Sequence, residues 1–267
     1  MQDYKIRPKK SLGQNFLKDE NIVRKIVNSL NLNNEDSVLE IGAGKGVLTK
    51  YLVQSDAEIF AVEIDDNLVK ILDQLFRGQK NFKLWHGDIL KLSFEEILSR
   101  EKKYKALGNL PYHITSPVLF KIFENREYFS EATFMIQKEV AQRIVSQPGS
   151  KEFGILSVFS QFYADVEKLF DVSKFAFSPA PDVTSSVVKW KFKKKIELTG
   201  SELDLFMEIV KKVFSQRRKM LRNSLKLVGD TTPDLSQLSI DLKKRPEQLF
   251  VQDFIKLTKE FAGLKNP

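Results

Sequence analysis

Apolar positions along this 267-residue chain change their spacing as the chain proceeds, and the spacing predicts its elements. In DENIVRKIVNSL (19–30), Ile22, Ile26 and Leu30 recur one helical turn apart. That predicts an amphipathic helix, with Asp19 placed as the N-cap that accepts the first free backbone N–H groups. Short apolar runs follow: SVLEI (37–41), EIFAVEI (58–64), FKLWHGD (82–88), KALGNL (105–110) and ATFMIQ (132–137). They alternate with stretches of helical spacing such as DDNLVKILDQLF (65–76). Strand, helix, strand at this rhythm predicts a doubly wound α/β sheet. Two later β-like runs, ADVEKLFDV (164–172) and TSSVVKWKF (184–192), are expected to finish the sheet, antiparallel to the rest. Beyond KKKIELTGSE (193–202) the β signals stop, while LDLFMEIVKKVF (203–214) and VQDFIKLTKEF (251–261) keep helical spacing. A boundary near residue 198 is therefore expected, with a main domain over 1–198 and a helical one over 199–267.

Composition narrows the class. A hydrophobic fraction of 42% is enough to fill a core in each domain. With no cysteine and two histidines, disulfides and zinc–thiolate sites are excluded and little remains for an imidazole centre, so no bound metal is expected. The apolar runs are short and broken by charge, and the basic lead MQDYKIRPKKSLGQ has no apolar core, which predicts a cytoplasmic protein without a membrane span. The net charge of +8 is unevenly placed: from Lys191 onward there are 17 Lys and Arg against 10 Asp and Glu, and before it 26 against 25. Such a basic last third fits a polyanion partner, and fits equally a solvated lysine-rich helical surface.

Chemistry gathers at the ends of the predicted strands. The first runs into VLEIGAGKGVLT, where Gly42, Gly44 and Gly46 allow a sharp turn and a close backbone approach to a nucleotide-type ligand; a tight strand-to-helix turn would need glycine as well. A dinucleotide fingerprint requires its third glycine at position 47, which is Val47 here. The second strand ends at Glu63, 21 residues after Gly42, where a carboxylate can accept the hydroxyls of a ribose. The third ends in HGDIL, whose Asp88 can accept from an adenine amino group. This ordered set resembles the S-adenosylmethionine-dependent methyltransferases. The fourth strand then ends in GNLPYHITSP (108–117). An exocyclic amine such as adenine N6 is a poor nucleophile because its lone pair is delocalised into the ring. Two acceptors aimed at its hydrogens would redirect that lone pair toward a methyl group. Asn109 and the carbonyl of Leu110 would be those acceptors, Pro111 would fix the turn, and Tyr112 would stack on the base. His113 is read as structural.

The resemblance extends further. KKSLGQNFL, EIGAGKGVLT, GNLPYHITSP, QKEVAQRI, PGSKEFGILSV, FSPAPDVTSSVV and QRRKMLRN together resemble the small-subunit ribosomal RNA adenine dimethyltransferases of the KsgA type over nearly the whole chain. That resemblance implies a doubly wound, seven-stranded, Rossmann-like methyltransferase domain plus a small all-α C-terminal domain. It also implies that Asn15 and Leu17 join Gly42, Gly44, Glu63, Asp88 and Asn109 around S-adenosylmethionine. Phe177 would close a sandwich on the flipped adenine opposite Tyr112. The implied reaction is dimethylation of N6 on two adjacent adenosines near the 3′ end of small-subunit (16S) rRNA, on a pre-30S particle, by a monomer. Lys191, Lys193, Lys194, Lys195, Arg217, Arg218, Lys219 and Arg222 would hold phosphates. The competing readings are a large-subunit rRNA adenine methyltransferase and a non-catalytic assembly factor. A DNA adenine methyltransferase is disfavoured because Leu110 and Pro111 stand where two prolines are usual, and a nicotinamide oxidoreductase is opposed by Val47.

Overall fold

The computed structural model describes residues 7–229 and 234–265, so the first six residues of the basic lead lie outside it. A two-residue strand, β1 (Phe16–Leu17), precedes α1 (Glu20–Asn28). Asp19 caps this helix as expected, its carboxylate accepting the N–H groups of Asn21 and Ile22 at 2.9 and 3.3 Å. The buried stripe runs through Val23, Ile26 and Leu30, with Ile22 at its margin. The expected apolar runs become β2 (Ser37–Ile41), β3 (Glu58–Glu63), β4 (Phe82–His86), β5 (Tyr104–Asn109) and β6 (Phe129–Gln137). Between them lie α2 (Thr49–Leu52), α3 (Asp66–Leu75), α4 (Phe94–Ile97) and α5 (Thr115–Glu124). Next come α6 (Lys138–Val145), α7 (Ile155–Tyr163), β7 (Ala164–Val172), β8 (Phe177–Ser178) and β9 (Ser185–Phe192). The chain continues into α8 (Ser201–Ser215), α9 (Leu221–Ser224) and α10 (Val251–Lys265).

Seven strands form one sheet in the order β4-β3-β2-β5-β6-β9-β7, and β1 pairs antiparallel with β8 as a separate two-stranded piece. Strands β4 through β6 are parallel and β9 is antiparallel to β6. Parallel strands covered on both faces read as continuous apolar runs, and every residue of β2 is buried, Glu40 included. From β2 the chain builds outward through β3 to β4, then crosses over to β5 on the other side. The C-terminal ends of β2 and β5 therefore flank the point where the order reverses, the usual crevice of such sheets. The two strands come unusually close there. A Cβ on Gly108 would sit 2.6 Å from the Ile41 carbonyl oxygen, so only glycine fits.

The chain forms two compact units. One comprises the residues up to Ala141 together with Glu167–Phe192, and the other joins Gln142–Val166 to the chain from Lys193 onward. This differs from the expected single cut near residue 198, and the reason is packing. The apolar residues of α7 bury against α8, with the Phe162 and Phe206 rings 4.3 Å apart and Phe159 edge-on to Phe206 at 5.8 Å. Phe153 and Phe254 flank Phe214 at 6.3 and 5.9 Å and extend that aromatic core. Sequence order places α7 between strands, but its apolar face belongs to the helical unit.

Replacing Gly108 by alanine should force β2 and β5 apart and cost about 1–3 kcal/mol, as overpacking of a tight interior does. Denaturant unfolding of the variant, compared with Gly87→Ala, checks this, because at Gly87 the nearest atoms a Cβ would meet belong to the flexible side chain of Leu92, at 3.1 and 3.2 Å.

Candidate active site

One cavity of about 310 Å³ opens where the strand order reverses. Its wall includes residues 12–17, the loop after β2, the ends of β3 and β4, and the stretch from Asn109 to Ile114. Gly42, Gly44 and Gly46 all carry left-handed φ angles, of 72°, 60° and 75°. At Gly46 a Cβ would also strike Phe76 at 2.8 Å, so this glycine lets the loop pack on α3. A Cβ on Gly42 would meet nothing within 4 Å, although Gly42 lines the cavity, so its backbone faces open space.

Glu63, at the end of β3, is 4% exposed and organises this wall. Its Oε2 accepts the Gly44 N–H at 2.8 Å, and its Oε1 accepts those of Ile64 and Asp65, both at 2.9 Å. Burial pushes its pKa up, while the three backbone N–H groups hold it down. Glu40, fully buried on β2, also lines the cavity. Its Oε2 accepts from Thr49 Oγ1 at 2.6 Å, while its Oε1 has no hydrogen-bond partner among the described residues. Burial, reinforced by the charge of Glu63, pushes the Glu40 pKa up to about 8. Asp88 follows β4. Its Oδ1 accepts the Leu90 N–H at 2.9 Å, and Gly87 donates to the Glu63 carbonyl at 2.9 Å, so the two acids sit on adjacent strand ends.

The fourth strand brings Asn109 into the same cavity. Its Nδ2 donates to the Asn15 carbonyl at 2.9 Å, which turns Oδ1 the other way as an acceptor. The Leu110 N–H continues the sheet by donating to Met135 at 3.1 Å. The Pro111 carbonyl accepts from the Ile114 N–H and Thr115 Oγ1, so Leu110 supplies the carbonyl of this turn that is not drawn into the following helix. Tyr112 is half-buried, and its hydroxyl shares a 2.8 Å hydrogen bond with Ser185 Oγ at the start of β9. That bond fixes the ring, and burial raises the phenol pKa.

Ten of the eleven residues expected around the cofactor and the target base line this one cavity: Asn15, Leu17, Gly42, Gly44, Glu63, Asp88, Asn109, Leu110, Pro111 and Tyr112. Phe177 does not. It is 2% exposed and packed with Leu17, Met135 and Val187, because the β8–β1 pairing directs its ring into the core. Two further residues, Glu40 and Lys121, shape the site without a local signal in the sequence. Glu40 was hidden inside an apolar run, where only its charge could have marked it. Lys121 on α5 donates to the Leu90 and Leu92 carbonyls at 3.1 and 2.5 Å, pinning the loop that carries Asp88, and burial lowers its pKa. Nothing in its helical spacing signalled that reach.

Two buried carboxyls, one with an unpartnered oxygen, line a cavity edged by a glycine whose Cβ position is open. This wall suits a cationic nucleoside such as S-adenosylmethionine: acids for ribose and positive charge, and backbone for close approach.

A family model described as ribosomal RNA adenine dimethylase matches residues 6–263. The chain belongs to the ribosomal RNA adenine dimethylase family. It is an enzyme that uses S-adenosylmethionine to methylate rRNA adenine. Relatives named ribosomal RNA small subunit methyltransferase A include one from Mycoplasma mobile, 44% identical over 90% of this chain and 93% of its own length. Another, from Pseudomonas fluorescens, is 37% identical over 100% of this chain and 98% of its own. Among solved structures, a dimethyladenosine transferase from Plasmodium falciparum superposes with a TM-score of 0.79 at 27% identity, covering 94% of this chain and 98% of that one. The 23S rRNA methyltransferase ErmE shares the fold, with a TM-score of 0.66 at 22% identity over 93% of this chain and 100% of its own.

The raised pKa of Glu40 sets the sign of a pH effect in this dimethylase. Between the ordinary value of 4.5 and about 8, the unfolded chain releases a proton that the folded protein retains. Stability therefore falls as pH rises through that window. Glu40→Gln should show a smaller loss of melting temperature between pH 5 and pH 8.5 than wild type. An equal loss would show that Glu40 ionises in the fold without penalty.

Proposed function

We propose that this enzyme dimethylates N6 of two adjacent adenosines near the 3′ end of small-subunit rRNA, on a pre-30S particle in the cytoplasm, acting as a monomer. The observation that carries the reading is the convergence of Asn109, Leu110, Pro111 and Tyr112 with Glu63 and Asp88 on one cavity. The small-subunit target is supported by the names of the relatives at 37–44% identity. The large-subunit alternative has only the fold-level likeness to ErmE behind it.

S-adenosylmethionine, when bound, supplies a methyl group on a sulfonium, already activated for transfer. The chain has to place and prepare the amine. Asn109 Oδ1 and the Leu110 carbonyl accept the two N6 hydrogens, favour a more tetrahedral nitrogen and aim its lone pair along the transfer axis. Glu63 takes the ribose hydroxyls and Asp88 the adenine amino group of the cofactor, with Asn15, Leu17, Gly42 and Gly44 completing its wall. Tyr112, held through Ser185, stacks on the target base. Phe177, on β8 of the β1–β8 pair, lies in the core, so of the two rings the cavity offers Tyr112 to the base. Monomethyladenine keeps one N–H for an acceptor, so the same groups serve the second transfer.

Phosphates are taken by the basic helical unit. Lys194, Lys195, Arg218, Lys219 and Arg222 are exposed there. Lys193 donates to the Gln161 carbonyl at 2.7 Å and Arg217 to the Ser150 carbonyl at 3.2 Å, so these two also serve the unit's own packing.

Transfer of labelled methyl to small-subunit particles from a strain lacking the modification, followed by digestion to nucleosides, tests the reaction. Wild type should give dimethyladenosine, and Asn109→Ala should lose about 100- to 1000-fold in kcat, as removal of one preorganised polar partner does. Tight particle binding without label would establish an assembly factor instead. Changing Lys194, Lys195, Arg218 and Lys219 together to glutamate should weaken particle binding and flatten its salt dependence. Unchanged affinity would reduce that surface to a solvated face.

A further inference from the structure

Asp65 follows the ribose acid by two residues yet stands outside the cavity wall. Its side chain is 1% exposed. A carboxylate so buried is stable only when its charge is well met, and here the partners come from two directions. From its own helix, the Asn67 N–H donates to Oδ1 at 3.0 Å, making Asp65 the N-cap of α3. From the N-terminal segment, Lys9 Nζ reaches Oδ1 at 2.8 Å and Gln14 Nε2 reaches Oδ2 at 3.0 Å. Gln14 is itself fixed, its Oε1 accepting the Lys9 N–H at 2.8 Å. Burial would raise the Asp65 pKa, but these donors outweigh it and hold the carboxyl below its ordinary value.

The same segment continues into the site. Gly13 has a left-handed φ of 61° and lies so close to His113 that a Cβ would approach its Nδ1 to 2.9 Å. Asn15 then gives its carbonyl to Asn109. The Asp65 backbone N–H meanwhile donates to Glu63. Residues 9–15 thus bridge from the end of β3 to the end of β5, with 12–15 forming cavity wall on the way. At the β3 end the bridge is held by Asp65.

We infer that Asp65 is a positioning residue, a latch that holds the N-terminal segment over the cofactor cavity through Lys9 and Gln14 and so sets how tightly the cofactor is retained. The inference rests on the reading that this cavity holds S-adenosylmethionine. A cofactor enclosed by this segment can exchange only when the segment lifts. The end held by Gln14 and by a lysine whose charge is open to salt releases more readily than the end held in the β1–β8 pair.

Two full-length variants separate the latch from the cap. Asp65→Ser keeps a good N-cap side chain for α3 but is too short to reach Lys9 or Gln14. Lys9→Met leaves the cap untouched and removes the charge. S-adenosylhomocysteine serves as the probe, with calorimetric Kd, trypsin cleavage after Lys10 followed by mass spectrometry, and melting temperature as readouts. In both variants the Kd should rise about tenfold, the loss of one charge-assisted hydrogen bond, and cleavage should quicken while the melting temperature stays near wild type. The KM for S-adenosylmethionine should rise with kcat at saturating cofactor retained, and added salt should weaken wild-type binding more than that of Lys9→Met. Wild-type Kd and cleavage in both variants would overturn the latch. An effect in Asp65→Ser alone, with a lowered melting temperature, would overturn it in favour of a capping role. Failure of wild type itself to bind S-adenosylhomocysteine would instead overturn the cofactor reading.

Discussion

The acceptance of three backbone N–H groups by the buried Glu63 carboxylate is the interaction on which the site depends. Gly44 lies on the loop after β2, while Ile64 and Asp65 begin the turn into α3. One side chain therefore fixes the glycine loop to the neighbouring strand end and shapes the cavity wall there. The parallel sheet supplies the setting, because reversal of strand order leaves the ends of β2 and β5 without a crossover helix between them. Gly108 then lets those ends close to a distance that no side chain would permit.

Burying Glu63 and Glu40 side by side is costly in a protein without a metal-ligating cluster among its described residues. The fold offsets part of that cost with backbone donors at Glu63 and leaves Glu40 neutral near pH 7. A cationic ligand beside Glu63 would offset more of it. The reaction itself asks little of the chain. An activated methyl donor needs no nucleophilic side chain, and an arylamine sheds its proton readily after transfer. Two acceptors and a stacking ring would suffice for it, and the chain has no cysteine to offer a thiolate.

Most of the main unit was legible because its signals are local. The run SVLEI coincides with β2 to the residue, since a strand covered on both faces needs uninterrupted apolar sequence, and ADVEKLFDV coincides with β7 at the sheet edge, where charged residues interrupt the apolar ones. Asp19 announced α1 because capping is settled within three residues. The acids and NLPY could be placed together because a parallel sheet puts successive strand ends on one edge. By contrast, α7 was read with the sheet, since nothing local shows that Phe159 and Phe162 bury against Phe206 on a helix far along the chain.

The sequence by itself determined which main strands and helices form, that Glu63, Asp88 and the NLPY turn stand at strand ends on one edge of the sheet, and that the protein belongs among the adenine dimethylases, because periodicity, capping and motif order are all encoded within short windows. Only the tertiary structure decided that Glu40 is a buried neutral acid, that Asp65 and Lys121 act through backbone and side chains from distant segments, that Phe177 lies in the core, and that the helical unit reaches back to take α7. Each of these depends on burial or on partners separated by tens of residues, and those are fixed by how elements pack rather than by what surrounds a residue in the chain.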